Sequence, residues 1–288
     1  MAERLSDVED RIDSVRQLSS VISAMRGIAA VRSREANARL AGIREYAETI
    51  GTAIAQALAL YRAGGAEPAA DRGEAGRLLI LGLCAEQGFV GAFNTHVLDE
   101  VQALATSFGA DRTDLLMVGS RGVAAARERG LEPVACMPMA GHADQLAALA
   151  NRLGDRLFAR LQAGRVSRVV IVSARPDEAH AAPYSVVRQT LIPFDFDRFP
   201  PANLARPPLI HLPAAVLLAR LTDEYVFAEL CEALTLSYAS ENDARMRAMI
   251  AARENVARKL DELTATSRRL RQEQITEELI ELSGAVRD

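Results

Sequence analysis

One stretch of this chain has the wording of a phosphate site. EQGFVGAFN (Glu86–Asn94) follows the apolar run RLLILGLCA (Arg77–Ala85) and leads into a helical pattern. Backbone amides of a glycine turn at a helix N-terminus can cradle an anion. The spacing Gly88-x-x-Gly91, however, lacks the first glycine of the dinucleotide fingerprint, and no P-loop lysine stands beside it. A tight structural turn is therefore expected. His96, His142, His180 and His211 fall in different elements and have no metal-ligand spacing. Ser120 and Ser173 end strands without a G-x-S-x-G elbow. Asp195 and Asp197, in FDFD, read as a solvated loop. Cys84, Cys136 and Cys231 are odd in number and far apart, which fits neither a disulfide framework nor a zinc site. Catalytic residues, metal and cofactor are all expected to be absent.

The elements that would have to position such groups form three zones. In the first, Leu5, Val8, Ile12, Val15, Ser19, Ile22 and Met25 recur at alternating spacings of three and four, the mark of a coiled-coil seam. Ser6 and Glu9 read as a capping box. Gly27, Gly42 and Gly51 either weaken the helix, by about 1 kcal/mol each, or mark close approach of a partner. A continuous helix from Ser6 to Leu60 would be about 80 Å long.

The second zone follows the linker AGGAEPAADRGEAG and alternates strands with helices. Strands are predicted at Arg77–Ala85, Asp114–Ser120, in EPVACMPM, at Ser167–Ala174 and at Tyr184–Phe194. Helices are predicted at Thr95–Phe108, in RGVAAARERG and at Ala143–Ala163. That alternation predicts a mainly parallel sheet with helices on both faces. The proline-rich FPPANLARPPLIHLP closes the zone.

The third zone has no glycine or proline for 70 residues, from Ala214 to Ser283. As continuous helix it would span about 105 Å, and helices that long imply coiled coil, membrane or repeat. Val256, Leu260, Leu263, Ser267 and Leu270 keep a seam spacing; Ile275, Leu279, Leu282 and Val286 shift its phase. The charge splits as well. Arg245–Arg271 carries eight basic and three acidic residues, whereas Gln272–Asp288 carries one basic and five acidic. The simplest arrangement pairs the two terminal helices antiparallel, with an α/β domain inserted between them. The C-terminal helix then outreaches its mate by about 20–25 Å on the rise per residue. A lone amphipathic helix is marginal in water, so a partner protein is expected around that end.

Composition narrows the classes. An apolar share of 49% and a charged share of 25% are those of a globular chain. A net charge of -4 and pI near 5.7 oppose a dedicated nucleic-acid binder. Met1–Asp13 is strewn with acids, unlike a signal peptide, and no apolar run of 18 residues predicts a membrane span. With the unpaired cysteines this suggests a reducing cytoplasm. Lys259 is the lone lysine among 34 basic residues, read here as genomic base composition.

The chain resembles the gamma subunit of the F-type ATP synthase over essentially its whole length. The resemblance rests on RIDSVRQLSSVISAMRGIAAVRSREA (Arg11–Ala36), EQGFVGAFN and LLMVGSRGVA (Leu115–Ala124). It is densest in YASENDARMRAMIAARENVARKLDELT (Tyr238–Thr264) and RLRQEQITEELIELSGA (Arg269–Ala285). It implies a helix at 1–62, a Rossmann-like α/β domain at 76–208 and a helix at 213–288 that pairs with the first in an antiparallel coiled coil. It further implies a central-stalk rotor that couples ion flow to ATP synthesis or hydrolysis on other chains. The implied partners are the alpha–beta hexamer, the epsilon subunit and the c-ring, with no nucleic acid and no direct membrane insertion. The implied location is the cytoplasmic face of a bacterial inner membrane. By position, the resemblance assigns beta-loop contacts to Arg271, Gln272 and Thr276, charged contacts to Glu241 and Arg245, and contacts at Met25 and Arg26. The chain departs from the family in three places: Glu86–Ala92 replaces Asp-Arg-Gly-Leu-Cys-Gly-Gly, Arg32 replaces a lysine, and LIHLP (Leu209–Pro213) lacks the usual acid. An α/β nucleotide-binding enzyme with helical dimerisation arms, and a non-rotary coiled-coil scaffold, are the competing readings.

Overall fold

A computed structural model describes residues 4–65, 76–177, 182–199, 202 and 208–285. Helix α1 runs unbroken over Leu5–Ala63 and helix α5 over Ala214–Ala285. Between them lie β1 (Leu78–Leu83), α2 (Phe93–Phe108), β2 (Thr113–Val118), α3 (Ser120–Glu128), β3 (Ala135–Met137), α4 (Leu146–Gln162), β4 (Arg168–Arg175) and β5 (Ser185–Ile192). Long terminal helices around a mainly parallel sheet are the fold class the sequence predicts. The chain divides into two units, Met1–Ala29 with Arg245–Asp288, and Ala30–Ala244.

The larger unit is built on the five-stranded sheet β3-β2-β1-β4-β5. Its strands are parallel except β5, which runs antiparallel to β4. Side chains alternate across a strand, and β1 shows why every residue in it is apolar. Leu79, Leu81 and Leu83 join a core with α4 and with Val226, Leu230, Leu234 and Tyr238 of α5. Leu78 and Ile80 face the opposite core, with Phe93, Val97, Leu98 and Val101 of α2 and Val123 and Ala126 of α3. A strand covered on both faces cannot alternate apolar with polar. Each such buried side chain contributes about 1.5–3 kcal/mol. In the same unit α1 and α5 run antiparallel: Arg44 pairs with Glu232 at 2.8 Å, and Tyr46 donates to Glu224 at 2.8 Å. Phe194, Phe199 and Tyr225 pack with Ile54 and Leu58. Gly51 is the close-approach glycine of α1, but its neighbour is the chain's own Phe199, 3.1 Å from where a Cβ would stand.

In the smaller unit, Val8 and Ile12 bury against Leu263, flanked by Val15, Leu260 and Leu270. Those are the positions of the predicted seam. The capping box does not form. Helix α1 already begins at Leu5, where the Arg4 carbonyl accepts from Asp7 and Val8, so Ser6 lies inside the first turn. Glu9 instead accepts from Arg271 of α5 at 2.6 Å.

The tightest junction is where α3 meets the end of β1. Gly119 has φ of 101°, and a Cβ there would stand 2.3 Å from the Cys84 carbonyl oxygen. At Gly122 a Cβ would stand 2.0 Å from the Cys84 Cβ. Both contacts are with backbone or its first side-chain atom, so nothing rotates away. Gly122→Ala should cost about 1–3 kcal/mol through overpacking, read as a lower urea midpoint with an unchanged denaturant slope.

Candidate functional site: an uncovered helix end and a self-filled anion turn

Two regions carry the residues singled out in the sequence. The first is the end of α5. Its seam holds as far as Leu270; every residue from Arg271 to Ile280 is then exposed. Ile275, Leu279 and Ile280 are 51%, 61% and 64% exposed. The apolar phase shift thus coincides with the end of cover from α1. Leu282 and Val286 fall where side chains are not described. Arg271 is held toward Glu9, Thr276 donates to the Gln272 carbonyl at 2.8 Å, and Gln272 projects into solvent. Arg271, Gln272 and Thr276 therefore lie within two successive exposed turns of α5, with Arg271 at the edge that still reaches α1.

Glu241 and Arg245 have a different setting. They are 3% and 4% exposed, within a buried polar stretch that includes Ser237, Ser240 and Asn242. Ser237 donates to the Leu83 carbonyl and Tyr238 to the Gly141 carbonyl, so this part of α5 is tied to the end of β1 and to the turn before α4. The sequence reading did not single out Ser237, Ser240 or Asn242; their small polar side chains break the apolar pattern, which was the available signal. Met25 and Arg26 are half-buried on α1.

The second region is the glycine turn, and here the chain supplies its own anion. The Glu86 carboxylate accepts from the Ser120 amide at 3.0 Å, the Ser120 hydroxyl at 2.7 Å and the Met139 amide at 2.8 Å. It thereby sits at the N-terminus of α3, where a phosphate would otherwise be favoured. Asn94 Oδ1 occupies the Ala85 amide at 2.9 Å. Gly91 and Phe89 adopt φ of 57° and 60°, so the turn is tight, as expected, and Phe89 is left exposed. No spacing rule marks Glu86, because its partners lie 34 and 53 residues away.

The remaining candidates are placed in structural roles. His96 Nδ1 lies 3.0 Å from the Tyr184 hydroxyl, Ser173 is buried within β4, and Asp195 caps a short turn through the Asp197 amide. His180 lies outside the described residues. Burial pushes the Cys84 thiol up to about 12, with the Glu241 carboxylate adding to the shift. Burial likewise raises Cys231 to about 11. Both stay protonated at neutral pH and are poor nucleophiles. Among the described residues, no group of three or more His, Cys, Asp or Glu could hold a metal ion. No described helix is long and apolar enough to cross a membrane.

Burial works to raise the Glu86 pKa, but the Ser120 and Met139 hydrogen bonds outweigh it and the group is lowered overall. Its stabilisation is therefore present above the ordinary carboxylate pKa and lost as pH falls through the depressed one. Glu86→Gln should cost about 1–2 kcal/mol at pH 7. Thermal melts of variant and parent should converge as the pH is taken below about 4.

The family model described as ATP synthase matches residues 4–287. The ATP synthase gamma chain of Frankia casuarinae is 30% identical, covering 99% of this chain and 97% of its own length. That of Chlorobium luteolum is 27% identical, covering 97% of each. Among solved structures, the OSCP/F1/c-ring assembly of the Euglena gracilis mitochondrial ATP synthase includes a chain that superposes with a TM-score of 0.63 at 14% identity. That match covers 98% of this chain and 93% of the other. A chain of the Tetrahymena thermophila mitochondrial central stalk and c-ring gives 0.57 at 19% identity, covering 81% and 99%. With matching fold, matching length and a family match from one end to the other, the chain belongs to the ATP synthase gamma chain family.

Proposed function

We infer that this chain is the central-stalk rotor of an F-type ATP synthase, coupling transmembrane ion flow to ATP synthesis or hydrolysis on other subunits. The observation that carries this reading is the uncovered end of α5. Its apolar residues leave the seam at Leu270 and stand in solvent, which requires cover from foreign protein. The alpha–beta hexamer supplies that cover in this reading. Arg271, Gln272 and Thr276 meet a beta-subunit loop, and Met25 and Arg26 lie on the neighbouring helix face. Glu241 and Arg245, being buried, act by holding α5 in place.

The start of α5 supplies the other attachment. Leu209, Leu212 and Val216 are exposed apolar residues around its first turn. They suit a protein partner, assigned here to the epsilon subunit and c-ring. The chain then lies at the cytoplasmic face of a bacterial inner membrane, held there by other subunits, and has no catalytic site of its own. Mechanism follows from asymmetry. A rod that makes different contacts with each of several equivalent catalytic subunits biases each toward a different conformation. Turning it moves that bias from one site to the next, and the coupling free energy is the difference between those contacts.

Deleting Gln272–Asp288 removes the uncovered segment and spares the seam. ATP-driven ion pumping by membrane vesicles carrying the assembled complex should fall by about fivefold or more, the low end of measured coupling energies. Pumping at the parent rate would count against the assignment.

A further inference from the structure

We propose that the larger unit carries a diphosphate-binding site on the outer side of α4, distinct from the helix-end contacts and from the Glu86 turn. Arg156 and Arg160 of α4 and Arg165 just beyond it line an open surface hollow of about 450 Å³ together with Ala135, Ala159 and Ala163, and Arg156 and Arg165 are exposed in it. That volume lies in the range of small-molecule sites, and the alanines leave the space unfilled. No carboxylate is among the lining residues.

The charges nearby are unbalanced. Asp114 is buried and accepts from Arg77 at 2.6 Å and from Arg160 at 3.3 Å. That one carboxylate is shared by two guanidiniums, Arg77 and Arg160. Asp114 pins Arg160 and so fixes one wall. Among the described residues, the Arg156 and Arg165 side chains have no hydrogen-bond or ion-pair partner. Arginine near a helix C-terminus complements the negative end of the dipole, and Arg160 in the last turn of α4 does so. That effect is confined to the last turn and does not account for Arg156. A guanidinium fork matches a phosphoryl group bidentately. Two uncommitted forks beside a third that is held in place suit two linked phosphoryl groups, either free pyrophosphate or the diphosphate of a nucleotide.

Inorganic pyrophosphate and ADP, each titrated by calorimetry into the purified full-length chain at low ionic strength, test this. Pyrophosphate should bind, and combined Arg156→Gln and Arg165→Gln substitution should weaken it about tenfold or more. Arg152→Gln, elsewhere on α4, should leave binding unchanged. ADP binding as tightly as pyrophosphate, or more tightly, identifies a nucleotide as the source; ADP binding more weakly identifies the free anion. A second readout in the assembled complex is protection of Arg156 and Arg165 from phenylglyoxal by pyrophosphate. Absence of pyrophosphate binding, binding that survives the double substitution, binding abolished by Glu86→Gln, or unprotected arginines would overturn the proposal. None of these outcomes bears on the rotor reading, which rests on the end of α5.

Discussion

An apolar seam shared by two helices has to end where one of them ends. In the smaller unit that limit is sharp. Val8 and Ile12 bury against Leu263, Leu270 gains partial cover, and from Arg271 onward every described side chain lies in solvent. A helix depends on tertiary packing of its apolar face for most of its stability. Continuing apolar residues beyond the seam are therefore unfinished packing. They do not form a decorated surface, and the functional reading follows from that incompleteness.

The α/β part of the chain shows the opposite condition. A parallel sheet with helix N-termini at its strand ends normally offers an anion site. Here Glu86 fills that position at α3 with its own carboxylate, and Asn94 takes the Ala85 amide. Cys84, at the same strand end, is sealed by Gly119 and Gly122 and kept protonated by burial. The place where this architecture usually does chemistry is thus used to hold α3 against β1. Close packing there makes a stiff attachment for α5, through Ser237 at the Leu83 carbonyl and Tyr238 at the Gly141 carbonyl.

Local pattern predicted the elements well because their periods are strong. The wholly apolar LLILGL could only be a strand covered on both faces, and 70 residues without glycine or proline could only be a long helix. The β3 strand came out shorter than EPVACMPM, because only Ala135–Met137 finds a partner on β2. The predicted cap at Ser6 failed for a local reason: a helix start is set by which carbonyl accepts first, and Arg4 wins. The candidate contacts were legible unequally. Arg271, Gln272 and Thr276 share an exposed stretch, while Glu241 and Arg245 are interior, a distinction that helical spacing does not contain.

Amino-acid order alone determined the long terminal helices, the apolar seam along each, and the intervening alternation of strand and helix. All three follow from periodicity, which acts between residues a few positions apart. Tertiary structure decided where the seam runs out, which polar residues are enclosed and which groups meet across long separations. Glu86 reaches Ser120 and Met139, Arg271 reaches Glu9, and Asp114 gathers Arg77 and Arg160. Those partnerships depend on chain closure over tens to hundreds of residues, and no local pattern records which distant side chain will arrive.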